Sequence, residues 1–271
     1  MSAAQQHVCA APFDAIAKRY DESFTSSLIG QAQRAAVWRE LAKTFHRGDR
    51  VLEIGCGTGV DACYLAESGV RVVACDASAQ MIEVARARIH ESGLENLVRP
   101  LVLRAEDVFA LPPGELFDGA FSNFGALNCV EDLHQVARSL AGLLRPGASA
   151  LLCWMGPHCA WETIWYLAHG NRDKAFRRQT GQATTARIAD GVFLRVHYPS
   201  VKRFASAFAP EFMLRSIKGV GVAVPPSYLE PWAQRHRRLL KLCERFDSWT
   251  AECPGLRLLG DHVLVRLERR G

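Results

Sequence analysis

Between residues 50 and 155, short apolar runs alternate with stretches whose apolar positions recur every three or four residues. The runs RVLEI (50–54), RVVAC (71–75), LVLRA (101–105), FDGAFS (117–122) and SALLCWM (149–155) have strand length. Between them, Met81, Ile82, Ala85 and Ile89 mark one helical face, and Leu133, Val136, Ala137, Leu140 and Leu144 another. LLRPG at 143–147 ends the second helix with proline and glycine. Nearly continuous apolar strands separated by helices predict an α/β, doubly wound parallel sheet covered on both faces.

The pattern on either side differs. Phe13, Ile16, Ala17, Tyr20 and Phe24 fall on one face of a short helix, and a second helix is expected over about 31–45. Residues 156–210 are rich in aromatics and arginine and read as a helical insert. Residues 211–224 then read as a strand, 225–246 as a helix begun by prolines, and 261–270 as a final strand. The whole chain, 1–271, is expected to be one domain. Its parts are N-terminal lid helices (12–45), a core (46–155), the insert (156–210), and the last two strands with a helix (211–271).

The first strand runs straight into Gly55-Cys56-Gly57-Thr58-Gly59, with an acid, Glu53, inside its apolar run. A glycine turn between a strand and a helix lets a ligand approach the backbone without a Cβ in the way. Dinucleotide folds place a third glycine where Val60 stands here, which makes a nicotinamide enzyme the weakest reading. Asp76 ends the second strand and Asp107 follows the third. Carboxylates at the carboxyl ends of neighbouring strands suit a ligand that presents hydroxyl and amino donors.

VLEIGCGTG, VVACDAS, RAEDVFALP, FDGAFSNFGAL and LRPGASALL, taken in order, resemble the motifs of class I S-adenosylmethionine-dependent methyltransferases, most closely the ubiquinone and menaquinone type. The resemblance covers roughly residues 12–155. It implies a seven-stranded, mostly parallel, Rossmann-like sheet that binds S-adenosylmethionine and yields S-adenosylhomocysteine, with no metal. It also implies that Asp76 receives the ribose hydroxyls and Asp107 the adenine amino group, with Glu106 as an alternative. Gly55, Cys56, Gly57, Gly59, Ala77, Met81, Val108, Asn123, Phe124 and Gly125 are expected to line the cofactor. Tyr20 is expected to close over its methionine end. Glu53 is expected to accept from the loop amides or from the ligand ammonium. Asp61 is expected to be a helix N-cap rather than a ligand contact, and Cys56 a small loop residue rather than a nucleophile. Asn128 is expected beside the methyl position with Asn123 and Phe124.

Charge changes this picture only in the second half of the chain. The net charge is +5. Residues 1–155 carry 14 Lys/Arg against 18 Asp/Glu, and residues 156–271 carry 19 against 10. A basic half suits a nucleic acid, an anionic membrane surface or an acidic small molecule, and a solvated helix surface accounts for it equally well. The nine cysteines show no C-x-x-C spacing, and several sit in apolar runs. With no basic-then-apolar leader at residues 1–22, a reduced cytoplasmic protein is expected.

Five of the six tryptophans lie between 154 and 249. Trp161, Glu162, Tyr198, Tyr228 and Trp232 are the expected acceptor contacts, and His158 or His197 the base. Aromatics with a few polar tips suit a small, partly apolar acceptor, and the arginines beside them suit an acidic group on it. Ser122-Asn123-Phe124-Gly125 lacks the prolines of amino-directed nucleic-acid methyltransferases. The alternatives are an RNA or protein methyltransferase using the basic half, or a non-catalytic cofactor-binding subunit.

Overall fold

In the computed structural model, residues 11–112, 114 and 116–271 are described; residues 1–10 of the segment read for a leader, Cys9 among them, lie outside. Five strands precede the insert: β1 (Arg50–Ile54), β2 (Arg71–Asp76), β3 (Val98–Val102), β4 (Phe117–Ser122) and β5 (Leu144–Trp154). After β6 (Thr184–Ala189) and β7 (Val192–Val196) come β8 (Phe212–Val220) and β9 (His262–Arg269). The seven-stranded sheet has the order β3-β2-β1-β4-β5-β9-β8. Only β9 opposes its neighbours, pairing antiparallel with β5 and β8.

β3 starts three residues before the apolar run that predicted it, and it contains Pro100. An edge strand tolerates a proline because one row of its N–H groups has no ladder to join. β3 is such an edge.

The helices pack on both faces. Near the N-terminus, a 3-10 turn (Pro12–Ala15), the single turn α1 (Ala17–Tyr20) and a π turn (Asp21–Thr25) replace the expected continuous helix. α2 (Leu28–Thr44) follows, capped by Ser27, whose Oγ accepts from Gly30 N at 2.9 Å. α3 (Val60–Glu67), α4 (Ala79–Glu91) and α5 (Leu133–Leu143) cross between strands. Alternate residues of β1 enter opposite cores, as the period of a strand requires. Leu52 and Ile54 join Phe117, Leu140 and Trp154; Val51 joins Val37, Leu41 and Phe121.

The insert is not wholly helical. α6 (Ala160–Ala168) and α7 (Arg172–Phe176) lead into the β6–β7 hairpin, which returns to α8 (Val201–Phe208). The hairpin turns at Asp190-Gly191, with Gly191 at φ +71°. Asp-Gly flanked by apolar strand residues is a strong hairpin signal. The long C-terminal helix is likewise broken at His236 into α9 (Glu230–Arg235) and α10 (Arg237–Thr250).

Candidate active site

Each of the three glycines in the first turn answers a different constraint. A Cβ at Gly55 would lie 2.1 Å from Ala126 Cβ, and one at Gly59 would lie 3.0 Å from Ala85 Cβ in α4. Those two admit the β4 loop and a neighbouring helix. Gly57 has φ +52° and nothing within 4 Å of its missing Cβ. Its open side is the one free to meet a ligand.

The loop is wired to the next strand. Gly57 N donates to Asp76 Oδ2 and Ser78 N donates to Asp76 Oδ1, both at 2.8 Å. Burial raises the Asp76 pKa against these two hydrogen bonds. Each carboxylate oxygen still has acceptor capacity for a ligand hydroxyl. Asp107 is partly exposed on the 3-10 turn after β3, while Val108 beside it is buried in the core. Met81 is also buried, and Ala77 is exposed.

Glu53 is the unsatisfied member of the group. It is 1% exposed, and its Oε2 has no hydrogen-bond partner among the described residues. Burial, then the charge of Asp61, raises its pKa well above the usual range, with Arg34 opposing. A buried carboxyl without a partner costs free energy unless a ligand cation completes it. An open Gly57, an orphaned Glu53, Asp76 at the end of β2 and Asp107 on the turn after β3 together fit the adenosyl and amino-acid parts of S-adenosylmethionine.

Asp61 does not cap α3. Gly59 is the N-cap, in the left-handed region. Asp61 instead accepts from Arg34 Nη1 and Trp38 Nε1, both at 2.6 Å, and from Asn123 Nδ2 at 2.9 Å. α2 crosses the helix start, and its buried guanidinium claims the carboxylate. Asn123 Oδ1 then accepts from Phe124 N at 3.0 Å. Phe124 has φ +46°, the only positive φ outside glycine among the described residues. Such strain gathers at ligand sites. The Phe124 ring lies 4.9 Å from the Arg34 guanidinium carbon, 5.1 Å from the Phe24 ring and 5.5 Å from the His262 ring.

The N-terminal turns close over the glycine loop. Asp14 accepts from Ser78 Oγ at 2.5 Å and from Gln80 N at 3.2 Å. Asp21 accepts from Thr58 Oγ1 at 2.7 Å and also pairs with Arg88. Tyr20 sits between Phe13 and Phe24, and burial pushes its pKa up to about 12. Burial likewise holds the Cys56 thiol well above its usual range, which makes it unsuited to act as a nucleophile.

The structure redistributes the residues expected to contact an acceptor. Glu162 is buried and bonded by Arg177 and Arg178, so its carboxylate braces the insert instead of facing an acceptor. Asn128 is fully buried and ties Met155 to His197 through backbone groups. It holds the loop rather than the methyl position. His158 is exposed. His197 is brought next to the β4 loop, and its Nε2 is buried without a partner among the described residues. Trp161 packs on Trp232, with ring centroids 6.0 Å apart, and donates to Ala223 O. Tyr228 lies against Tyr166, and Tyr198 under Arg178.

Sequence reasoning overlooked two residues at this edge. His262 heads β9 beside Phe124, and burial lowers its pKa more than Asp261 raises it. Asp261 accepts from Arg178 Nη2 at 2.8 Å and from Gln33 Nε2 at 3.3 Å. The polar pair Asp-His opening an otherwise apolar strand was the available signal.

Residues 51–147 match the family described as "Methyltransferase domain". A demethylmenaquinone methyltransferase of Mycobacterium marinum (strain ATCC BAA-535 / M) is 34% identical over 148 residues, covering 53% of this chain and 58% of that protein. Residues 51–147 carry the methyltransferase domain that this family describes.

That domain's match leaves the N-terminal turns and the insert outside it, and the chain spans somewhat over half the length of that curated relative. A malonyl-[acyl-carrier protein] O-methyltransferase of Pseudescherichia vulneris is similar over more of the chain. It is 29% identical over 229 residues, 82% of each protein. The solved CcbJ methyltransferase from Streptomyces caelestis shares the fold of the methyltransferase domain and its flanks. Its TM-score is 0.63 at 16% identity, over 97% of this chain and 99% of that one.

Proposed function

We propose that the chain is an S-adenosylmethionine-dependent methyltransferase acting on a small, partly apolar acceptor by direct in-line transfer. The observation that supports this most is the orphaned Glu53 carboxyl beside an open Gly57, within reach of a loop already fastened to Asp76. When bound, S-adenosylmethionine supplies a methyl group on a positively charged sulfur. The chain's part is to hold the acceptor in line and keep water out. Asp76 receives the two ribose hydroxyls, Asp107 the adenine amino group and Glu53 the ammonium. Phe124 and Asn123 shape the wall near the sulfur. The latched turns carrying Asp14, Tyr20 and Asp21 exclude water from the cleft. His262, which is buried, and His197, which is half-buried with its Nε2 inaccessible, are the imidazoles near the β4 loop that could take a proton from an oxygen acceptor.

Calorimetry with S-adenosylhomocysteine tests the reading. Asp76→Ala should weaken binding by about 1.5–3 kcal/mol, roughly ten- to hundred-and-fifty-fold. Unchanged affinity in this variant, or no uptake by the folded wild type, would overturn the proposal.

Glu53 gives a second, pH-linked outcome. Its pKa is raised in the free protein, and pairing with an ammonium lowers it. Binding should therefore release a proton, and affinity should increase as pH rises through the free-state pKa. Titrations in two buffers of different ionisation enthalpy measure this release directly. Glu53→Gln should abolish it.

A further inference from the structure

α10 has two apolar sides, and only one of them is covered. Leu240, Asp247 and Thr250 are buried, and Asp247 accepts from Ala223 N and Val224 N at 2.5 and 3.1 Å, which fixes the helix to the body. On another side stand Leu239, Leu242, Phe246 and Trp249, exposed by 46, 56, 48 and 80%. Their spacing of three, four and three residues puts them within about 80° of arc at 100° per residue. The next 80° or so of arc holds Arg238, Arg245 and Lys241. These three, with Arg237, are exposed and form no ion pair with an acid among the described residues.

We propose that this face of α10 docks on an anionic lipid surface. An aromatic and leucine stripe edged by unpaired cations is the arrangement by which a helix lies in a membrane interface. The rings and leucines enter the headgroup boundary while long basic side chains reach outward to lipid phosphates. Charge selects lipid over the other occupants. A second copy of the chain would bring two sets of unpaired cations together. A nucleic acid would meet a stripe with two leucines among its four members, which offers little to stack on. The buried side of α10 joins Leu240 and Cys243 to Trp161, Trp165 and Trp232, so a docked helix would bring the acceptor-side insert to the lipid surface.

Flotation with phosphatidylcholine vesicles, with and without phosphatidylglycerol, tests this on the full chain. The wild type should bind the anionic vesicles at least about tenfold more strongly than the neutral ones, and binding should weaken at high salt. The exposed double variant L242S/W249A should lose at least about tenfold in anionic binding. R238S/K241S/R245S should lose the preference for phosphatidylglycerol. Both variants should keep wild-type uptake of S-adenosylhomocysteine, which shows that they are folded and separates this result from the methyl-transfer reading. Equal binding to neutral vesicles, or no effect of L242S/W249A, would overturn the proposal. So would a concentration-dependent dimer that L242S/W249A abolishes, or RNA binding lost in the same variant.

Discussion

Replacing Arg178 with methionine is expected to destabilise the fold by about 3–5 kcal/mol, as when one partner of a buried ion pair is removed. Arg178 is 6% exposed. Its Nη2 lies 2.7 Å from Glu162 Oε2 and 2.8 Å from Asp261 Oδ1, and its Nη1 donates to Asp261 O at 2.9 Å. Burial alone would lower the guanidinium's pKa, but Asp261 and Glu162 outweigh it and raise it. The reverse holds at Asp261, where burial is outweighed by His262 and Arg178 and the carboxyl is held below its usual range. Without the cation, two nearly inaccessible carboxylates face each other's field. Glu162 keeps Arg177, whereas Asp261 keeps only the longer bond from Gln33 and its neighbour His262. The loss should therefore concentrate at Asp261.

Pairing Arg178→Met with Asp261→Asn should recover part of the lost stability, because the residual cost is that of an unpaired charge. Denaturant midpoints of the single and double variants measure this recovery. Equal midpoints for Arg178→Met and wild type would show that the network contributes nothing to stability. The pH dependence has a definite sign. The depressed Asp261 pKa contributes stability that is present above the unfolded-state value and lost as pH falls through the folded one. Arg178→Met should flatten that acid limb.

How much of this was legible in the sequence depends on the distance over which each feature is decided. β1, β2 and β4 follow from short apolar runs, because burial on both faces leaves little freedom in which residues form them. β3 was displaced because its edge position, which makes Pro100 tolerable, is a property of the finished sheet. The Asp190-Gly191 hairpin was local and readable, but the surrounding arginines and aromatics suggested helix. Asp76 and the glycine turn were legible because each sits at the end of a short apolar strand, and the pairing of β1 with β2 brings Gly57 N to Asp76. Asp61 and Glu162 were not. Which cation claims each carboxylate is set by α2 crossing α3 and by α7 folding back on α6, contacts that composition and spacing do not encode. His262 reaches Phe124 only because β9 runs antiparallel and starts at the carboxyl edge of β5.

Asp61→Ala should be comparably severe, about 3–5 kcal/mol, and unlike Arg178→Met it should also disturb the cleft. The substitution leaves Arg34 charged and nearly inaccessible, with its Nε already without a partner. It also removes the acceptor of Trp38 Nε1 and of Asn123 Nδ2. Asn123 fixes the backbone at Phe124, and Arg34 lies over that ring. A left-handed phenylalanine persists only while its surroundings hold it, at a strain of about 1–3 kcal/mol. Once Asp61 is gone, Phe124 should relax toward ordinary backbone angles, and the wall next to Gly125 should loosen. S-adenosylhomocysteine affinity is then expected to fall by roughly tenfold, about 1.4 kcal/mol. Asp61→Asn keeps one acceptor oxygen for Trp38 or Arg34 and should lose less in both measurements. Arg34→Met combined with Asp61→Asn removes the stranded charge, so it should regain stability without regaining affinity. A variant pair in which stability and affinity recover together would show that Phe124 is held by the fold at large and not by this hub.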